Sequence, residues 1–356
     1  MNQLEMIAAL SNANGASGFE DEVLLAARKH APASLTVTED RMRNLYFRRP
    51  EDTHGKKPVV QLDAHTDEVG FMVQYLNPNG TLHFITLGGI VNTNIPAHRV
   101  RVLTKTGEWI PGITAAKPPH FMTDEEKHKM PDVSDMSIDI GASSLAEARD
   151  VYGVRVGAPV VPDVAFEYDE KHDTLIGKAF DCRLGCAGVL ATLHSIAGEE
   201  LAVDVVGALS VQEEVGTRGA AVTANTVKPD VAIVFEGCPA DDTVVEPCAV
   251  QTAIRKGPML RHIDARMITH PRFQRFALDL AEKLNILCQE AVRTGGSTNG
   301  APIHLSNAGV PCIVIGLPVR YIHSHYGIAS YADFQNAVKL ANAIVHALNA
   351  EVLKGF

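Results

Sequence analysis

The sequence predicts an α/β protein: a mixed, largely parallel sheet flanked by helices, with a small β-barrel-like domain inserted into it. Three observations predict this. From about residue 175 onward, short apolar strands alternate with helical stretches, the pattern of a parallel sheet covered by helices. Residues 69–164 lack that alternation and read as β-branched stretches broken by turn signals. The apolar run PVVQLDAH at 58–65 reads as a further buried strand. The α/β unit is therefore expected from residues 1–68 plus 165–356, and the inserted β domain from 69–164.

Taken in order, residues 2–11 and 20–31 read as helices, the second opened by Ser17-Gly18-Phe19-Glu20, a serine ahead of acidic residues. After the strand at 58–65 comes GFMVQYL at 70–76, then turns at 77–80 (Asn-Pro-Asn-Gly), at Gly88-Gly89 and at Lys105-Thr106-Gly107. The polar segment 117–132, with three prolines, reads as an exposed loop or flap. Helices are expected at 184–198, 217–227, 271–284 and 331–350, and strands at 203–211, 230–237, 286–292 and 310–316. No internal repeat interrupts the series.

Composition excludes several partners. The chain has 356 residues with 32 Lys+Arg against 42 Asp+Glu, a net charge of -10. No excess of positive charge is left to neutralise a nucleic acid or an anionic membrane surface. Apolar runs such as GVPCIVIGLPV (309–319) are broken by Gly and Pro and fall short of the roughly 20 residues that span a bilayer. The start, MNQLEMIAALSNANG, has neither a basic n-region nor an apolar h-region, so a cytoplasmic location is expected. The six cysteines include no CxxC pair and read as reduced thiols, mostly small buried residues.

Five motifs could carry chemistry. His65-Thr66-Asp67-Glu68 ends a strand, where open α/β sheets place ligands. Residues two apart in extended chain share a face, so Asp67 can orient the His65 imidazole for a metal; a solvated turn fits the same triplet. Asp181, in Phe180-Asp181-Cys182-Arg183-Leu184-Gly185, can bridge two metal ions roughly 3.5–4 Å apart, or cap a helix. Cys182 has no local His partner to make it a nucleophile, and Cys186 reads as packing. In QEEVGTRGA (212–220), adjacent side chains diverge on a strand, so Glu214 can coordinate while Glu213 faces a water as general base. A solvated helix start is the alternative there.

Glu236 ends the strand 230–237 ahead of a Gly-Cys-Pro turn, as a ligand or a rim charge, with Asp241 and Asp242 as exposed turn residues. The segment PVRYIHSHYG (318–327) brings His323 and His325, with Arg320 or Tyr321 as substrate contacts. Strand ends of one sheet converge on one edge. His65, His323, Asp181, Glu214 and Glu236 then supply nitrogen and oxygen donors without thiolates, a set suited to Zn, Co or Mn in a dinuclear hydrolytic site.

In their order along the chain, these motifs resemble the family of dinuclear metallo-aminopeptidases that contains glutamyl, lysyl and leucyl aminopeptidases and the tetrahedral, or TET, peptidases. The resemblance covers almost the whole chain through GASGFEDEV (15–23), DRMRNLYF (40–47), LDAHTDEVGFMV (62–73), FDCRLG (180–185), QEEVGTRGA (212–220) and GVPCIVIGLPVRYIHS (309–324). It implies a zinc-exopeptidase-like fold and two divalent metal ions per subunit. It makes His65 the ligand of the first metal, Asp181 the bridging carboxylate, and Glu214 and His323 the ligands of the second. Glu236 falls where the family commonly has Asp as a ligand, Glu213 matches the general base, and Asp67 the acid that orients His65. The resemblance further implies that the inserted domain serves assembly or substrate access, and that dimers build a tetrahedral dodecamer. The chain departs from the pattern at three places. Cys182 stands where a second Asp is common beside an often cis peptide, Gly296-Ser297-Thr298-Asn299 replaces a Gly-Thr-Asp stretch, and His325-Tyr326-Gly327 replaces a Pro and an acid.

The expected reaction is removal of the N-terminal residue from short peptides, with Glu213 taking a proton from the attacking water and returning it to the leaving amine. A metal-dependent deacylase or dipeptidase on a related fold, or a non-catalytic assembly protein, are the alternatives. A glycoside hydrolase would need two acids flanking one bond, a separation that adjacent residues do not provide.

Overall fold

The computed structural model describes residues 2–53 and 56–356. Its main sheet has eight strands in the order Thr36–Glu39, Leu45–Arg48, Asp204–Ser210, Val59–His65, Val231–Pro239, Cys312–Val319, Met259–Ile263 and Gln289–Val292. The four central strands from Asp204–Ser210 to Cys312–Val319 run parallel. Both of their faces are covered, which explains why they are nearly continuous apolar runs rather than alternating ones. The flanking strands Leu45–Arg48 and Met259–Ile263 pair antiparallel to this block, so the sheet is mixed as expected.

Register decides which residues reach the functional edge. Ser210 pairs with His65, and Val234 with Asp63, so two residues further along Glu236 lies beside His65. The helix Phe180–Ser195 crosses this sheet against the strand Val231–Pro239 and is itself covered by the helices Gln3–Asn12 and Tyr331–Ala347. Buried on all sides, it shows no amphipathic stripe. Two glycines permit its close approach. A Cβ on Gly188 would stand 2.7 Å from the Phe235 ring, and one on Gly237 would stand 2.7 Å from Asp181 Cα.

The strands Gly70–Leu76, Leu82–Leu87, Ser137–Asp139, Trp109–Ala115, Arg99–Leu103 and Pro159–Pro162 close into a barrel in that order. Its core, including Phe71, Val73, Phe84, Val100, Ile138 and Val160, is separate from that of the main sheet, with the Phe71 and Phe84 rings packed edge to face at 4.9 Å. A three-stranded antiparallel sheet of Glu167–Asp169, Thr174–Gly177 and Gly327–Ala329 completes the strands. Among the described residues no helix is long and apolar enough to cross a membrane.

Several local expectations need correction. The second helix spans Asp21–His30 and is not capped by Ser17, whose hydroxyl is committed elsewhere. The segment 117–132 is exposed but contains a one-turn helix, Asp124–His128, closed by a reciprocal Thr123–Glu126 capping box. The last helix stops at Ala347, and Asn349 caps a separate turn, Ala350–Leu353.

Candidate metal centre and active site

The site grows from the end of the strand Val59–His65. His65 is fully buried, with Nε2 3.1 Å from Asp181 Oδ1 and 3.3 Å from Glu236 Oε1. Its other nitrogen, Nδ1, lies 3.1 Å from the Asp67 carbonyl oxygen and 3.3 Å from Asp67 Oδ1. Asp67 is a hub. Its carboxylate also accepts the backbone N–H of Glu213 at 2.8 Å, that of Glu214 at 3.1 Å and the Ser17 hydroxyl at 2.6 Å. Burial alone would raise the Asp67 pKa, but His65, Ser17 and the Glu213 N–H outweigh it and hold it below the usual carboxylate range.

Beneath this hub, Glu68 accepts two hydrogen bonds from Lys178 Nζ, at 2.7 and 3.0 Å, and one from Arg183 at 3.2 Å, all fully buried. Arg183 Nη1 donates in turn to the Leu10 and Ala13 carbonyls, tying the N-terminal helix to the helix Phe180–Ser195. Paired and hydrogen-bonded in this way, the charges are tolerable inside the protein.

Asp181 is not a helix cap. The residue at the helix start is Ala179, and Asp181 itself has extended backbone angles followed by a cis peptide to Cys182. Its two oxygens face different imidazoles, Oδ1 towards His65 and Oδ2 towards His323 Nε2 at 3.2 Å. Glu214 Oε2 lies 3.6 Å from the same His323 nitrogen. The Glu213–Glu214 pair is not on a strand, because the strand ends at Ser210 and the chain turns through Gln212 at φ 57°. The turn, held by Asp67, sends the two side chains apart. Glu236 is likewise not at a strand end; its strand continues to Pro239.

His323 sits in a left-handed backbone conformation, φ 57°, and its Nδ1 lies 2.7 Å from the carbonyl oxygen of Gly89 in the barrel segment. The barrel thus contributes backbone to the site.

Donor atoms of His65, Asp181, Cys182 and Glu236 form one compact cluster, and those of Asp181, Glu214 and His323 a second, sharing Asp181. Among the described residues, the buried oxygens Glu214 Oε1 and Glu236 Oε2 have no hydrogen-bond donor. Burial pushes both carboxyls well above their ordinary range, with Asp181 adding to the shift. Burial also raises Glu213, to about 7, against the pull of His65. Burial opposes the His323 imidazolium, but Asp181 and Glu214 outweigh it and raise its pKa to about 10. So many carboxylates around two imidazoles, two of them with a buried unsatisfied oxygen, are what bound cations would neutralise. The residues fit a pair of divalent ions.

The remaining motif residues separate. Asp241 is buried rather than exposed and pairs with Arg293 at 2.9 Å; Asp242 holds Arg320 through two hydrogen bonds, at 2.6 and 2.9 Å. Arg320 is therefore already engaged. His325 belongs to neither donor cluster and stacks on His98 of the barrel segment, ring centroids 4.1 Å apart. Burial and the neighbouring His98 lower its pKa to about 4. Asn299 lies beneath the site, donating to Asp63 Oδ1 at 2.7 Å and to Ser210 Oγ at 2.6 Å. Ser17 and Gly89 are parts of the site that the motif reading did not place, and Cys182, read there only as standing in for a second Asp and lacking a His partner, joins a donor cluster. Only the positions of Ser17, two residues after Gly15, and of Gly89, in a glycine pair, hinted at them.

A profile of the M42 glutamyl aminopeptidase family matches residues 44–340. The chain belongs to that family. The glutamyl aminopeptidase of Lactococcus lactis is 32% identical over 354 residues, covering 99% of this chain and 98% of that protein. A crystal structure of a TET aminopeptidase from the marine sediment archaeon Thaumarchaeota archaeon SCGC AB-539-E09 superposes with a TM-score of 0.93 at 36% identity, covering 99% of this chain and 98% of that one. The Pyrococcus horikoshii TET1 peptidase, described as able to assemble into a tetrahedron or a large octahedral shell, has a TM-score of 0.86 at 25% identity, covering 98% of this chain and all of that one. M42 peptidases are metal-dependent, and this member is a peptide hydrolase of the aminopeptidase type.

Proposed function

We propose that this M42 peptidase removes the N-terminal residue from short peptides at two divalent metal ions per subunit, Zn, Co or Mn. His65, Asp181 and Glu236 would hold the first, and Asp181, Glu214 and His323 the second. The observation that carries this reading is Asp181, whose two oxygens face separate imidazole-centred clusters. When bound, the metal pair supplies Lewis-acid polarisation and acidifies water.

The chain's own residues then have distinct tasks. Glu213, partly buried beside these clusters, takes the proton from the attacking water and returns it to the leaving amine nitrogen. Asp67 positions the His65 ring and, through the backbone N–H groups it accepts, the turn that carries Glu213. We assign residues 69–164 to a domain of assembly or substrate access, because the barrel places Gly89 against His323. By likeness to the TET1 peptidase structures, one a dodecamer and one described as assembling into a tetrahedron or an octahedral shell, the subunits form a dimer-based homo-oligomer with a tetrahedral dodecamer as its expected end state.

The test is amino-acid release from free and N-acetylated short peptides by protein loaded with Zn, Co or Mn. Release from free N-termini only, reduced roughly 10²- to 10⁴-fold in Glu213→Gln, is the expected result. Preference for the acetylated peptides would replace the aminopeptidase reading with a deacylase. Near-normal turnover of Glu213→Gln would remove Glu213 as the base.

A further inference from the structure

The donor set read from the sequence contained nitrogen and oxygen only. In the folded protein a sulfur joins it. Cys182 Sγ belongs to the cluster of His65, Asp181 and Glu236, one donor atom from each residue, all within 4.8 Å of one another. Metal bonds of roughly 2.0–2.3 Å set neighbouring donors of a tetrahedral ion roughly 3.3–3.6 Å apart. His65 Nε2 already stands 3.1 Å from Asp181 Oδ1 and 3.3 Å from Glu236 Oε1, close to that scale, and the sulfur lies within 4.8 Å of each of these donors.

Two further features mark this sulfur. Cys182 is fully buried, and Gly185 leaves room for it, since a Cβ there would stand 2.3 Å from Sγ. In the same cluster, Glu236 Oε2 is buried with no donor among the described residues, so the cluster has unsatisfied capacity of its own. The neighbouring thiols are differently placed. Cys186 Sγ donates to the His65 carbonyl oxygen at 3.0 Å, and Cys238 packs among Met259 and Ala291.

We propose that Cys182 is a thiolate ligand of the first metal position, completing with His65, Asp181 and Glu236 a mixed nitrogen, oxygen and sulfur site that prefers thiophilic ions such as Zn, Co and Cd over Mn or Mg. The proposal rests on the dinuclear reading above and narrows its choice of metal. Without metal, the thiol donates to the Phe235 carbonyl at 3.2 Å. On metal entry the S–H bond breaks, the proton leaves to solvent and the sulfur lone pair forms the bond to the ion, with no change of oxidation state. Softness of the sulfur supplies the preference.

The test is a titration of the chelator-stripped full-length protein with Co(II), followed by absorption. Visible ligand-field bands count the cobalt bound, and a near-ultraviolet sulfur-to-cobalt charge-transfer band reports a thiolate. Wild-type protein and Cys186→Ser should show both kinds of band, whereas Cys182→Ser should lose the charge-transfer band and keep binding two ions. Competition between Cd and Mn, read by bound metal content, should favour Cd in the wild type and lose that bias in Cys182→Ser. Two bound cobalt ions with no charge-transfer band in the wild type overturn the thiolate and leave the dinuclear reading standing. Failure to bind cobalt at all overturns both. If Cys182→Ser does not fold, the wild-type spectrum decides the case alone.

Discussion

The two donor clusters that meet at Asp181 are built in different ways. One lies inside the sheet: His65 and Glu236 stand side by side on neighbouring parallel strands, with side-chain exposures of 0% and 5%. The other is built from connections: Glu214 sits in a turn, and His323, 39% exposed, sits in a loop with left-handed backbone. Its outer support is a carbonyl from the barrel. The first cluster therefore rests on two sheet strands and the helix start that carries Asp181, whereas the second also leans on the inserted segment. The first should be the tighter and stiffer, the second the more responsive to changes in the barrel.

The largest test of this comparison is Asp67→Ala, because Asp67, a donor in neither cluster, supports residues of both. It touches His65 of the first and holds the backbone of Glu214 in the second. Groups that orient metal ligands are worth roughly 10- to 100-fold in metal affinity, so the substitution should weaken both positions by that order and reduce turnover at least as much. Metal content after dialysis against buffers of defined free zinc checks it. Loss at one position only would break the picture of a shared hub.

A smaller effect should separate the positions. Graded chelation of the loaded wild type should empty them in two steps, with affinities on the order of tenfold or more apart, the exposed His323 position first. Because His323 is anchored on Gly89, the first step should be accompanied by faster hydrogen exchange around 88–92 and 319–326, and the second by loosening of the strand end at His65. A single simultaneous release would mean that Asp181 couples the positions so tightly that their different construction does not matter.

The same contrast explains what the sequence made legible. The sheet-borne residues were readable because a parallel strand buried on both faces announces itself as an apolar run, and an acid or histidine near its end is conspicuous. His65 and Glu236 were found in that way, although Glu236 lies inside its strand and not at its terminus. Residues on turns were singled out as adjacent acids or paired histidines but given the wrong local structure, since Glu213 and Glu214 diverge because of Asp67 and a left-handed Gln212 rather than because of a strand. Partnerships across long sequence distance carried no local signal. Ser17 reads as a helix cap until Asp67 is seen to claim its hydroxyl, and Asp241 reads as an exposed turn until Arg293 is seen against it. The short flanking strands Thr36–Glu39, Leu45–Arg48 and Met259–Ile263 escaped for a related reason: tertiary pairing, not apolar length, makes them strands. The barrel was legible as a region because a change of grammar needs no partner to be seen.

The smallest effect belongs to the seam between barrel and sheet. Gly88 has φ 82°, and a Cβ there would stand 2.8 Å from Val69 Cγ1 and 3.0 Å from Glu214 Oε2. Gly88→Ala therefore meets two obstacles, a left-handed backbone costing about 1–2 kcal/mol and a push on a residue of the second cluster. Gly89→Ala meets neither: its backbone is not left-handed, and its Cβ would touch His323 Nδ1 only at an ordinary 3.5 Å. Gly88→Ala should lower affinity at the second position a few-fold while leaving the first unchanged, with Gly89→Ala close to wild type in both. Equal losses at the two positions in Gly88→Ala would mean that the barrel acts on the whole centre through Asp181. No loss at either would mean that the loop around Gly88 gives way without moving Glu214, leaving the contact of His323 with the Gly89 carbonyl as the link between the barrel and the second cluster to test next.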